Sequence, residues 1–140
     1  TVREELNMSL VFFEKGFDAM KDSAVEFNKL LFDLITHQIE TITTHYCYFG
    51  NFDEAMEICD WCEGVLKAYV AKPEFVTDCL GWCWRKFNFS KMSAYVRAGK
   101  TEQAKELCEA YLKEIKENGT FSEEEYQAVE KEFREQIYIL

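Results

Sequence analysis

At 140 residues with a formal net charge of -10, the chain has room for one domain or one short array of repeats. Its 48% hydrophobic and 16% aromatic content excludes disorder and supports a packed core. The acidity works against direct contact with nucleic acid or an anionic membrane surface, and no apolar run approaches the roughly 18 residues needed to span a bilayer. One proline, Pro73, and six glycines are few breakers, so helices are favoured over a turn-dense β fold. The chain begins Thr1-Val2 with no signal peptide. That start is expected either from removal of an initiator methionine or from a piece cut out of a longer protein.

Residues 4 to 15 place Leu6, Leu10 and Phe13 at helical spacing, and Gly16 ends the run. From Asp18 the series Met20, Ala24, Phe27, Leu31 and Leu34 continues through Ile39, Ile42 and Tyr46 to Phe49. That length predicts two helices with a turn near Thr36-His37, since the average helix has about 11–12 residues. Gly50-Asn51 is punctuation. Asn51 is placed to cap the next helix, with Glu54 as its capping-box partner, and that helix runs to about Ala71. Pro73 forces a new start. The segment from there to Ala98 is helical in spacing, with an interruption expected at Asn88 to Ser90, and Gly99 stops it. Thr101 is expected to cap a helix ending at Asn118-Gly119, and Ser122 with Glu125 forms a capping box for a last helix, 122–140. The sum is an all-α chain of about seven helices, with short loops that make neighbours antiparallel.

The stretch from His45 to Cys59 is echoed from Ala94 to Cys108 at a shift of 49 residues. Tyr46 meets Tyr95, Gly50 meets Gly99, Ala55 meets Ala104, and Cys59 meets Cys108. The shared pattern Y-x3-G-x4-A-x3-C describes a helical hairpin. An aromatic closes the first helix, a glycine reverses the chain, and a small residue lets the second helix approach closely. Such a hairpin cannot bury its apolar face alone, so hairpins stack.

The two units, roughly 36–66 and 85–115, resemble tetratricopeptide repeats, whose hairpins carry an aromatic, a turn glycine and a following alanine. A degenerate first turn is expected at Lys15 to Asp22. The departures are definite: the spacing is 49 residues rather than 34. Ile39 and Asn88 stand where the family has Trp, the Leu-Gly pair is absent, and Lys67 and Lys116 replace the closing Pro. The resemblance implies one domain over residues 1–140, built as a solenoid of stacked antiparallel hairpins or an irregular helical bundle. It further implies a concave surface lined by the first helix of each pair, which binds a protein or peptide segment. By the family's pattern that groove holds His37, Glu40, Thr44 and Tyr48 in one unit, and Lys86, Phe89, Ser93 and Arg97 in the other.

Other constellations are weaker. Cys59-x2-Cys62 and Cys79-x3-Cys83 have zinc-like spacing, yet both pairs fall on amphipathic helices where cysteine packs as a small hydrophobe. The sequons at Asn7, Asn88 and Asn118 raise an extracellular, disulfide-bonded alternative, but two lie in helical, aromatic surroundings. His37 and His45 have no nucleophile context, and no phosphate-binding or zinc-protease motif occurs. No cofactor, no metal and no catalytic residue is expected. "GWCWRKFNF", Gly81 to Phe89, spreads aromatics over more than one helix face, so that some should meet a partner or a second layer. Two functions compete. One is a cytoplasmic peptide-binding module, such as the sensing part of a bacterial regulator. The other is a small acidic inhibitor or adaptor, phage-borne, that binds a basic target. A homo-oligomer is compatible with both.

Overall fold

The computed structural model describes residues 52–71 and 80–138, together with single helical positions at 4, 8, 11, 15, 29, 30, 33 and 37. Among the described residues there is no strand, and four helices follow one another: α1 (Phe52–Val70), α2 (Leu80–Arg97), α3 (Thr101–Glu117) and α4 (Glu123–Tyr138). The chain is all-α over these residues. Leu6, Leu10, Phe13, Gly16, the turn expected at Thr36 and the first unit's Tyr46 and Gly50 lie outside them.

The elements end and begin by local chemistry. Gly99 and Gly119 both take positive φ, 74° and 59°, a region in which an L side chain is disfavoured. Each closes the same reversal. Gly99 N–H donates to the Val96 carbonyl and Lys100 N–H reaches back to Tyr95, at 3.0 and 2.8 Å. Gly119 and Thr120 repeat this on Lys116 and Ile115, at 3.3 and 3.1 Å. These paired bonds are the Schellman ending, which satisfies carbonyls that a helix end otherwise leaves without donors. At the start of α4, Ser122 and Glu125 form the expected reciprocal box. The Glu125 N–H donates to the Ser122 hydroxyl at 3.1 Å, and the Ser122 N–H to the Glu125 carboxylate at 2.9 Å.

Two local expectations are overturned. Thr101 does not cap α3: it is the first helical residue, Lys100 holds the N-cap, and no side-chain cap bond forms. The reversal at Gly99 is so tight that Lys100 already offers its carbonyl to the Ala104 N–H, at 3.1 Å. Asn88 to Ser90 do not interrupt α2, which runs unbroken to Arg97. The Asn88 side-chain amide bonds its own helix, donating to the Trp84 carbonyl at 2.8 Å, and Ser90 is buried.

The core joins α2, α3 and α4. Met92 of α2, the stripe Ala104, Cys108, Tyr111, Leu112 and Ile115 of α3, and Val129, Phe133 and Ile137 of α4 form one buried cluster. The α3 residues recur at three and four places, so one face of that helix serves both neighbours. Phe133 is the hub, with its ring stacked on Tyr111 at 5.0 Å and edge-on to Phe89 at 5.4 Å. Outside, Arg134 of α4 pairs with Glu109 of α3.

The alanine and the cysteine of the internal repeat are buried in both units. Ala55 and Cys59 of α1 are fully buried, as are Ala104 and Cys108 of α3. Replacing Ala104 with Leu is expected to overpack that site and cost about 1–3 kcal/mol. Urea denaturation reads this as a lower midpoint at unchanged slope, with Ala55→Leu behaving alike.

Candidate functional site

The expected groove divides unevenly. Glu40, Thr44 and Tyr48 lie outside the described residues; His37 is helical and exposed. On α2, Lys86 and Arg97 are exposed and share one side, 11 residues or three helical turns apart. Phe89 is half-buried against Phe133, and Ser93 is buried. So Lys86 and Arg97 lie on one exposed side of α2, roughly 16 Å apart along the axis, whereas Phe89 turns toward α4. The Lys86 ammonium reaches Asp33 at 2.5 Å, which sets α2 beside the segment that carries His37.

The aromatic run of α2 separates by direction. Phe87 is fully buried. Trp82 is 43% exposed, with its ring 4.6 Å from Phe121 and Arg85 over its face at 5.5 Å. Trp84 meets Phe87 edge-on at 5.5 Å and lines a cleft. Arg85 in turn donates to both oxygens of Glu132, at 2.6 and 2.8 Å, tying α2 to α4.

The cleft itself was not legible in the sequence. It holds about 350 Å³, and its described walls come from the end of α1, the first half of α2 and the end of α3. Trp84 and Tyr111 supply aromatic walls, Glu63 and Glu114 carboxylates, Asn88 an amide, and Lys67 a cation. Gly81 lets the α2 backbone come in closely: a Cβ there would stand 2.9 Å from the Thr120 methyl. Tyr111 is 6% exposed and its hydroxyl has no hydrogen-bond partner. Burial raises its pKa, with Glu114 and Glu132 pushing the same way against Arg85, so the phenol stays protonated.

One side of the cleft rests on an ionic tie between α1 and α2. Lys91, only 12% exposed, reaches Glu63 at 2.9 Å and Asp60 at 3.0 Å. Burial alone would lower the Lys91 pKa; the hydrogen bonds to Glu63 and Asp60 outweigh it and raise the value. A raised ammonium pKa stabilises the fold below the ordinary lysine value, and that contribution disappears as pH climbs through the folded value. Lys91→Met is therefore expected to cost about 2 kcal/mol near neutrality, in the range of charge-assisted hydrogen bonds. Paired melts at pH 7 and pH 11 should show the gap between variant and parent closing at the higher pH.

The cysteines behave as packing residues. Cys59, Cys62, Cys83 and Cys108 are all buried, while Cys47 and Cys79 fall outside the described residues. Among the described residues no group of three or more His, Cys, Asp or Glu is placed to hold a metal ion. Burial first, and then the neighbouring Cys62, push the Cys59 thiol up to about 12. Because the thiolate is the reactive form, iodoacetamide at pH 8 is expected to leave Cys59 unlabelled in the folded chain and to label it in urea. Peptide mass mapping distinguishes the two.

No family model, no curated protein and no solved structure matches the chain. Among the described residues no helix is long and apolar enough to cross a membrane.

Proposed function

We propose that this chain is a tetratricopeptide-like helical-hairpin module, of about seven helices in stacked pairs, that binds a protein or peptide segment and is not an enzyme. The observation that carries the proposal is the shared register of two units. Ala104 and Cys108, five and nine residues after the Gly99 reversal, are buried on α3 as Ala55 and Cys59 are buried on α1. The Lys86–Asp33 pair brings α2 against a residue just ahead of the first unit. The burial of Cys59 and Cys108 as packing side chains is compatible with a reducing, cytoplasmic setting.

The groove face would present Lys86 and Arg97 to a ligand carboxylate. Lys86 shares its charge with Asp33 in the free protein. A ligand carboxylate would exchange with that exposed pair at little cost, since exposed ion pairs contribute about 0–1 kcal/mol.

A second reading, an acidic adaptor for a basic target, is favoured by the cleft between α1, α2 and α3, whose walls combine carboxylates with aromatic rings. Both readings make the chain a binding protein, and they differ in the surface used. The charge reversal Lys86→Glu with Arg97→Glu is expected to abolish capture of the groove's partner, identified by mass spectrometry, and to leave the far-ultraviolet helical signal and the melting temperature nearly unchanged. Equal capture by parent and variant would remove this surface from the function.

A further inference from the structure

We infer that the cleft between α1, α2 and α3 receives a single basic side chain, arginine or lysine, from a protein partner. The inference deepens the binding-module reading by assigning the partner's chemistry at one point of the surface.

The first ground is size. At about 350 Å³ the cleft stands at the low end of ligand sites, which suits one long side chain rather than a folded loop. The second is charge. Of the two carboxylates in the described walls, Glu63 is already committed, to Lys91 at 2.9 Å and to Lys67 at 3.8 Å. Glu114 has no ion pair among the described residues. The walls thus keep one uncompensated negative charge. Val70 and Ala71 add the carbonyl end of α1, the negative end of the helix dipole.

The third ground is the kind of wall. Trp84 and Tyr111 line the same space, and aromatic faces attract a guanidinium or ammonium within about 6 Å. Two of the remaining polar groups can accept from a cation. Asn88 gives one amide N–H to the Trp84 carbonyl at 2.8 Å, and its side-chain oxygen can accept. The Tyr111 hydroxyl is without a partner. A guanidinium brings five N–H donors and an ammonium three, with no acceptor. Lys67, the one cation in the described walls, is exposed like Glu114, so both stand at the rim, and Lys67 lies 3.8 Å from Glu63.

An anionic or neutral occupant fits worse. An anion would meet Glu114 at the rim and the negative end of α1, while Lys67 is shared with Glu63. The chain's overall charge of -10 also favours encounter with a basic partner.

The probe is a short peptide with one central arginine between glycine and serine residues, capped at both ends. Its control is the same peptide with citrulline, which keeps the shape and removes the charge. Titration of the intact chain, followed by nuclear magnetic resonance of the tryptophan indole protons, should show saturable binding of the arginine peptide. Citrulline should weaken it about tenfold or more, which corresponds to about 1.4 kcal/mol. Glu114→Gln should weaken the arginine peptide to a similar degree. Glu117→Gln, an exposed change at a residue already paired with Lys113, should leave it unaltered.

Equal binding of the two peptides, indifference to Glu114→Gln, or no saturable binding up to about 10 mM (a limit near 3 kcal/mol) would each overturn the inference. The two levels fail separately. Loss of the arginine site, with partner capture that still depends on Lys86 and Arg97, removes the inference and spares the module. Arginine binding in the cleft, with capture indifferent to Lys86 and Arg97, removes the groove and spares the cleft.

Discussion

The burial of a single stripe on α3 against two partners at once is the constraint on which the described structure depends. Ala104, Cys108, Tyr111, Leu112 and Ile115 join Met92 of α2 and Val129, Phe133 and Ile137 of α4 in one cluster. A helix that serves two neighbours with one face cannot slide along either without exposing apolar area to water. Its ends are held accordingly, by two left-handed glycines that reverse the chain within a few residues.

The joint between α1 and α2 has a different character. Its described ties are the Phe52–Tyr95 ring contact at 5.8 Å and the charged group of Lys91, Asp60 and Glu63. Apolar packing closes space, whereas long charged side chains span it. The cleft opens at this joint, near the end of α1, and Glu63 belongs to both the tie and the wall. Packing between α2 and α3 therefore supplies rigidity, and the ionic joint supplies accessible surface.

The aromatic run of α2 illustrates how a pattern that looks like one feature resolves into several. Phe87 is core, Phe89 meets the α4 hub, Trp84 walls the cleft, and Trp82 lies over Phe121 at the surface. Each lands where its angle on the helix sends it. The internal repeat accounts for the hairpin turn and its small residue. The cleft is formed by three separate helices and has no counterpart in that local pattern.

Local chemistry was legible in the amino-acid order alone. The all-α character, the stops at Gly99 and Gly119, the Ser122–Glu125 box and the burial of Ala55, Ala104, Cys59 and Cys108 all follow from interactions within a few residues or from a period of 3.6. Where local signals misled, at Thr101 and at Asn88 to Ser90, the reason was again geometric. A tight reversal moved the cap by one residue, and a side chain that bonds its own helix kept α2 whole. Only the tertiary structure decided which residues meet across helices. Lys86 reaches Asp33 across 53 positions, Arg85 reaches Glu132 across 47, and Lys91 reaches Glu63 across 28. Such pairs leave no periodic trace, because the distance between two charges on different helices is set by how the apolar stripes pack and not by either segment's own sequence.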